Sequence, residues 1–115
     1  MGGNIYIFGT GEQERDYMHV RDAVAGYKLI LEKELWGIPV NIGTGKTITI
    51  KALSKMIIQI TGRMSTCVFH TEPRPGEVQR LCADITFAKS LGFISTTNFE
   101  EDLKNYIDHK KQYEK

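Results

Sequence analysis

Two arginines and a glutamate lie where glycine or proline constrains the backbone. Arg15 follows the turn Gly9-Thr10-Gly11, and Arg74 lies between two prolines, three residues before Glu77. A guanidinium group is planar and always charged, so it can hold a phosphate through two parallel hydrogen bonds. A carboxylate beside it can accept hydrogen bonds from sugar hydroxyls. Together these residues suit a nucleoside diphosphate, with the carboxylate placed against the ribose.

Taken singly, each arginine has a simpler interpretation. Arg15 could be a surface residue paired with Glu14 or Asp16, and Arg74 could be an exposed loop residue. The argument for binding depends on the two arginines acting together in fixed loops. From the residues alone, binding and surface roles remain equally open.

Other chemistry has weaker support. The turn from Gly43 to Thr47 resembles the end of a phosphate-binding P-loop, but that motif needs glycine where Val40 stands, so we expect an ordinary turn. The histidines have no metal-ligand spacing, and the spacing of the two cysteines does not resemble a zinc site. We therefore expect no metal and two reduced thiols. The histidines are His19, His70 and His109, and the cysteines are Cys67 and Cys82.

The surrounding periodicity predicts helices that alternate with short strands, which is typical of an α/β or α+β domain. Apolar residues recur at helical spacing from Val20 to Leu35, and Gly37 and Pro39 are expected to end that helix. Strands are predicted over 5–8, 40–43 and 65–70. A helix from 50 to 60 is expected between its cap Thr49 and Gly62, and a shorter helix over 85–91 is expected to be capped by Asp84. A last helix begins with a Thr97/Glu100 capping box and is expected to fray after Ile107 towards Lys115.

Composition limits the possible partners. The chain has 115 residues, a net charge of +1 and 41% apolar residues, as expected for one globular domain spanning 1–115. Without a field of one sign, no nucleic-acid partner is expected. The apolar runs are too short to span a membrane, and Met1–Asn4 does not resemble a signal peptide, so we expect a cytoplasmic protein.

Four ordered blocks resemble a known family. They are IYIFGTGEQERDYMHVRDA (5–23), VNIGTG (40–45), RPGE (74–77) and ADITFAKSLGF (83–93). They look like the C-terminal part of the extended short-chain dehydrogenase/reductases, the NAD-dependent nucleotide-sugar epimerases and dehydratases. The resemblance covers residues 5–107. It implies a small α/β C-terminal lobe of about four helices with short strands, without the Rossmann half.

The resemblance also implies roles for individual residues. In such enzymes the arginines at the positions of Arg15 and Arg74 hold the diphosphate of a nucleotide sugar from two sides. The acid at the position of Glu77, more often aspartate in the family, binds the ribose hydroxyls. The strand containing Tyr6 and Phe8 lines the base, chiefly with backbone groups. The implied partner is a nucleotide diphosphate sugar.

The family's other half is missing from these residues. A Gly-x-x-Gly-x-x-Gly cofactor turn does not occur, and the catalytic Tyr-x-x-x-Lys spacing occurs only at Tyr106 and Lys110 in the last predicted helix. The NAD implied for the family therefore has no site in this chain, and we expect a binding lobe without catalysis. Two alternatives stay open: an interaction subunit that completes a separate NAD-binding domain or self-associates, and a remnant that binds nothing. The helix from Val20 to Leu35 and the 40–42 segment would match surfaces that pack on the cofactor domain in such enzymes.

Overall fold

The computed structural model describes residues 3–114, so the predicted fraying at Lys115 lies outside the described residues. In chain order the elements are β1 (Ile5–Phe8), β2 (Glu14–Arg15), α1 (Val20–Glu32), β3 (Ile48–Thr49), α2 (Ile50–Thr61), β4 (Val68–Thr71), β5 (Arg80–Leu81), α3 (Thr86–Ser90) and α4 (Phe99–Tyr113). The prediction of a small α/β unit with four helices and short strands is confirmed.

Two small sheets position the candidate residues. β1 pairs in parallel with β4, with Tyr6 opposite Phe69, and β4 begins later than the predicted 65–70 strand. In the second sheet β2 lies between β3, which runs antiparallel to it, and β5, which runs parallel. These two-residue strands are too short for a sequence period, so the sequence did not predict them. They place Arg15 in a central strand.

Helix α2 packs behind β1 and confirms both predicted ends. The Thr49 hydroxyl accepts a hydrogen bond from Ala52 N at 3.0 Å, and Gly62 ends the helix at φ 68°. Both features satisfy terminal backbone groups that a helix leaves unpaired. Ile7 of β1 is buried, so the strand turns alternate residues towards the interior.

Helix α1 ends earlier than predicted, at Glu32 instead of near Leu35. Glu34 adopts a left-handed φ of 53°, and its N–H donates to Leu31 O while Leu35 N donates to Ile30 O. This pattern is a Schellman motif with glutamate in the place where glycine is usual. Sequence reasoning assigned the stop to Gly37, because a non-glycine residue in that conformation is uncommon.

The predicted strand over 40–43 is wrong. Within residues 3–114 the backbone groups of residues 40–42 make no hydrogen bond, so no strand forms. A strand requires a neighbouring strand beside it. The segment is held by side-chain packing: a Cβ on Gly26 of α1 would lie 3.0 Å from Ile42 Cγ2.

The start of α4 differs from the predicted capping box. Asn98 caps the helix, and its side chain accepts a hydrogen bond from Glu101 N at 3.4 Å. Thr97 does not cap the helix: its hydroxyl donates to Asp22 and accepts a hydrogen bond from His19 N at 3.0 Å. The helix then continues to Tyr113, beyond the fraying predicted after Ile107.

The main hydrophobic cluster lies around α3, which is shorter than predicted. Ile85, Ala88 and Phe93 are buried there and contact Ile42 among other apolar residues. The predicted cap at Asp84 is wrong: Ile85 occupies the N-cap position and makes no side-chain capping hydrogen bond, while the Asp84 carboxylate, one residue earlier, accepts from Thr86 N at 3.0 Å. Hydrogen bonds from the hydroxyl and the N–H of Thr86 lower the pKa of Asp84.

A buried carboxylate connects α1 to the segment before α4. Asp22 is 1% exposed and accepts hydrogen bonds from Ser95 Oγ and from the N–H and hydroxyl groups of Thr96 and Thr97, at 2.6–3.0 Å. Burial alone raises the pKa of this carboxyl, but the hydrogen bonds outweigh it, and the pKa of Asp22 lies well below its usual range. Asp22 is therefore ionised and fixes the two segments together.

Among the described residues, each helix is too short or too polar to cross a membrane.

Candidate functional site

One turn carries two of the residues expected to bind. Arg74 and Glu77 are its first and last residues, and Glu77 N donates to Arg74 O at 3.3 Å. Pro75 and Gly76 lie between them, with Gly76 at φ 73°. Proline followed by a glycine with positive φ is the pattern of a type II turn. The local sequence thus fixes the spacing of the guanidinium and the carboxylate.

The carboxylate end of this turn reaches Arg15. Glu77 Oε1 lies 3.4 Å from Arg15 Nη2, and the two side chains are 21% and 24% exposed. Arg15 Nη1 also donates to the backbone oxygen of Glu14 at 2.8 Å. The long contact to Glu77 leaves the pair loosely joined, because charge-assisted hydrogen bonds are usually below 3 Å.

The arginine end of the turn lies on an aromatic ring. Arg74 Cζ is 4.0 Å from the centroid of Phe8, within the range of a cation–π contact. Within residues 3–114 Arg74 forms no ion pair with a carboxylate. Its charge is therefore oriented but not neutralised.

The exposed face of β1 continues this arrangement. Tyr6 stacks on Phe69 with ring centroids 5.5 Å apart, and it shares a strand face with Phe8 because the two are two residues apart. The structure therefore brings Arg15 to Glu77 and Phe8 to Arg74, and one turn joins the two pairs. Tyr6 lies along the same strand and contacts Phe69, a residue that sequence reasoning did not single out.

Close packing holds the loop that leads to Arg15. Gly9 and Gly11 have φ values of 73° and 79°, and a Cβ on Gly9 would lie 3.3 Å from Pro73 Cβ. The buried side chain of Gln13, which sequence reasoning missed, donates from Nε2 to Phe8 O at 2.9 Å. The end of β1 and the start of β2 are thereby tied to each other and to the proline segment.

Asp16 was also missed, and it anchors the far side of the loop. Its carboxylate accepts from the N–H groups of Thr44 and Gly45 at 3.0–3.1 Å and from Ala83 N at 3.3 Å. The sequence around Asp16 carries no local signal for this contact, because its partners lie 28 to 67 residues further along the chain. Asp16 fixes the position of Arg15 from the backbone side.

The contact of the Asp16 carboxylate also determines whether the Gly43–Thr47 turn can bind a phosphate. Phosphate loops present free backbone N–H groups, whereas here the carboxylate of Asp16 occupies those of Thr44 and Gly45. The described residues of this turn therefore do not fit the phosphates of a nucleotide or of NAD. The ordinary turn is confirmed.

Arg15 also lines a cavity of about 490 Å³, together with residues 40–43 and 81–84. The lining does not include Tyr6, Phe8, Arg74 or Glu77. A second cavity, of about 350 Å³ beside Tyr17 and Phe99, contains none of the predicted site residues. The candidate site is thus an open surface, and Arg15 connects it to the first of these cavities.

Comparison with known proteins supports the sequence resemblance. The family model for GDP-mannose 4,6 dehydratase matches residues 2–106. A putative UDP-glucose 4-epimerase of Methanocaldococcus jannaschii is 34% identical over 107 residues, which cover 91% of this chain and 33% of the relative.

Two solved structures are similar as well. The UDP-glucose 4-epimerase of Thermotoga maritima with UDP-glucose has a TM-score of 0.83 and 32% identity, with 97% of this chain and 36% of that chain covered. The UDP-glucuronic acid 4-epimerase of Bacillus cereus with UDP-glucuronic acid and NAD has a TM-score of 0.85 and 30% identity, with coverages of 96% and 36%. The chain spans about a third of the length of these relatives.

Proposed function

We propose, because the chain belongs to the GDP-mannose 4,6-dehydratase family, that it is the nucleotide-sugar-binding part of a UDP-glucose 4-epimerase/dehydratase-like protein. In this proposal Arg15 and Arg74 bind the diphosphate, Glu77 accepts hydrogen bonds from the ribose, and the strand with Tyr6 and Phe8 lines the base. The observation that carries it is the single turn whose two ends contact Phe8 and Arg15.

The charges of the site support this ligand class. Arg74 keeps an uncompensated positive charge, while Arg15 shares its charge with Glu77 across a long contact. A diphosphate needs cationic donors, and ribose hydroxyls need an acceptor, so the same three side chains serve both parts of the ligand. Two relatives are described in complex with UDP-glucose and with UDP-glucuronic acid, which favours a UDP-sugar.

We propose no catalysis by this chain alone and treat residues 1–115 as one binding unit. The Lys110 amino group lies 6.0 Å from the Tyr106 ring on α4, so this pair is an aromatic contact of a terminal helix. The isomerase chemistry of carbohydrate metabolism would need NAD held by the part of the relatives that this chain does not match. A cytoplasmic location is proposed with it, consistent with two free thiols, Cys67 and Cys82.

An NMR titration of the chain with UDP, UDP-glucose and dTDP-glucose tests the proposal. We expect saturable shifts in residues 8–16 and 74–77, abolished by Arg15→Ala and by Arg74→Ala. Arg63→Ala is the matched control, because Arg63 is exposed and forms no ion pair within the described residues. A folded chain that shows no shifts with any of the three ligands would overturn the proposal of independent binding and favour a remnant or a subunit.

A second candidate is an interaction subunit, favoured by an exposed surface on α1. Four apolar residues one helical turn apart are each 59–71% exposed, and we call them the α1 stripe: Val20, Val24, Tyr27 and Leu31. A cavity of about 270 Å³ joins Tyr27 to Val40 and Ile42 of the unpaired segment. A helix with an apolar face beside a segment that pairs with no strand among the described residues is half of an α/β packing unit.

The overall dimensions agree with a missing neighbour. The accessible surface is 8431 Å², about 2,000 Å² more than the roughly 6,400 Å² expected for a folded monomer of this mass. The radius of gyration is 17.0 Å, against about 13 Å for a compact domain of this length. Since the chain matches only a third of its relatives, we propose an NAD-binding α/β domain as the occupant of this surface.

Mixing the chain with the part of the Bacillus cereus relative that it does not match tests this candidate. We expect a 1:1 complex by light scattering, weakened by Val24→Lys and Tyr27→Lys. Lys28→Gln is the control, since Lys28 is exposed on the same helix outside the α1 stripe. A homo-oligomer that the same two variants dissociate would assign the α1 stripe to self-association instead.

A further inference from the structure

The contact between Phe8 and Arg74 differs from those that three of the four other arginines make. Arg15, Arg21 and Arg80 each contact a carboxylate, at 3.4, 2.8 and 3.4 Å. Arg74 instead lies over an aromatic ring, 4.0 Å from its centroid. A carboxylate orients a guanidinium and cancels its charge, whereas a ring face orients it and leaves the charge in place.

The backbone around this contact is fixed, but the arginine side chain has many rotamers. The turn after Arg74 is closed by Glu77 N, and Pro73 packs against Gly9. Gly9 is itself held by a 3.0 Å hydrogen bond to Thr71 O and by His70 Nδ1 at 2.8 Å from its carbonyl. The ring of Phe8 lies against the planar end of this flexible side chain and favours one direction for the guanidinium.

We infer that Phe8 is a positioning residue, which acts on the diphosphate through Arg74 by holding its guanidinium against the ring without neutralising it. This inference rests on the proposed nucleotide-sugar site and adds a role to it. It separates Phe8 from a residue whose ring only stacks on the base. The two roles predict that different ligands lose affinity when the ring is removed: ligands with a diphosphate if Phe8 positions Arg74, and ligands with a base if the ring stacks on the base.

Phe8→Leu tested against three ligands separates these roles. If Phe8 acts through Arg74, the variant weakens UDP and inorganic pyrophosphate by the same factor, about two- to five-fold, and leaves uridine unchanged. If the ring only stacks on the base, UDP and uridine weaken and pyrophosphate does not, which would overturn the inference. Isothermal titration calorimetry supplies the three affinities.

Two further variants sharpen the result. Phe69→Leu is the matched control, because Phe69 is a ring of the same sheet with similar exposure, 46% against 41% for Phe8, and it stacks on Tyr6 instead of on a cation. It is expected to leave pyrophosphate affinity unchanged. In an Arg74→Met background, Phe8→Leu is expected to have no additional effect on pyrophosphate, and an undiminished effect would contradict the role through Arg74.

A ligand-free measurement keeps the inference separate from the proposed function. In wild-type protein the Arg74 side-chain protons should show ring-current shifts that disappear in Phe8→Leu and persist in Phe69→Leu. Unshifted Arg74 protons in the wild type would overturn the inference. If these shifts appear but UDP, pyrophosphate and uridine all fail to bind, the independent binding function fails while the positioning contact stands.

Discussion

Two regions of this molecule use the same side-chain types in opposite ways. Around Asp22 a buried carboxylate accepts hydrogen bonds from three hydroxyl-bearing residues, and the neighbouring Arg21 holds Asp102 through two short contacts of 2.8 and 2.9 Å. At the candidate site, Arg15 and Glu77 meet once at 3.4 Å, and Arg74 has a ring in place of an acid.

The two regions differ in how many of their hydrogen-bond donors and acceptors remain free to bind a ligand. In the Asp22 region the charged groups are saturated by partners from the chain itself, so they can only stabilise the fold. Hydrogen bonding to Arg21 lowers the pKa of Asp102 and raises that of Arg21, which shows the same mutual satisfaction. At the open site, donors and charge remain available to a ligand. Charge type alone therefore does not separate the two regions; the hydrogen-bonding capacity that remains free does.

The largest expected effect comes from breaking the saturated region. Asp22→Ala removes the buried acceptor shared by five donors on Ser95, Thr96 and Thr97, so we expect a loss of about 3 kcal/mol or more in the free energy of unfolding. Urea denaturation measures it. Asp108→Ala is the control, because Asp108 is about half exposed on α4 and should change stability little. A loss below about 1 kcal/mol for Asp22→Ala would contradict a saturated, structural carboxylate.

A methyl group added at Gly43, next to Asp16, is expected to have the next largest effect on stability. A Cβ on Gly43 would lie 2.5 Å from Ala83 Cβ and 2.8 Å from Asp16 Oδ2. Gly43→Ala must therefore displace the anchor behind Arg15, at a cost of about 2 kcal/mol in unfolding free energy. Gly3→Ala is the matched control, since nothing lies within 4 Å of its Cβ position. Equal thermal stability of the two variants would show that the turn adapts freely.

Acid should weaken the saturated region selectively. The pKa of Asp22 is lowered on folding, so its contribution is fully present above the unfolded pKa of about 4 and is lost as pH falls towards the folded value. Between pH 7 and pH 3 this amounts to about 1 kcal/mol. Unfolding free energies measured across that range should depend less on pH in Asp22→Asn, and Asp108→Asn should retain the wild-type slope. An unchanged slope in Asp22→Asn would assign the acid sensitivity to other groups.

The same comparison explains what the sequence could predict. Helices α1 and α2 were predicted because their apolar spacing and the cap at Thr49 are local signals. The chemistry-bearing residues Arg15, Arg74 and Glu77 were chosen because glycine and proline constrain their loops. Their pairing with Phe8 and with each other could not be predicted, because it spans more than 60 residues of sequence.

Three other features were beyond local reasoning. Asp22 and Asp16 act on partners far along the chain, and nothing in their own neighbourhood distinguishes them from exposed acids. The segment over 40–42 has the composition of a strand, but pairing depends on a neighbour that the described residues do not supply. Local propensity therefore predicted a strand that does not form, because it carries no information about a pairing partner.

The smallest effect on stability is expected at Glu77, where one variant separates a binding role from a structural role. Glu77→Gln should change the free energy of unfolding by less than about 0.5 kcal/mol, because the pair with Arg15 is long and partly exposed. The same variant should weaken UDP by about five-fold, since a charged acceptor for the ribose is lost. Inorganic pyrophosphate has no ribose and gains the guanidinium released by Glu77, so its affinity should stay the same or rise. Glu72→Gln, a change at an exposed glutamate five residues earlier, should alter neither quantity. A loss of more than about 1 kcal/mol in the free energy of unfolding of Glu77→Gln would place Glu77 with Asp22, as a structural carboxylate in a site that only resembles an open one.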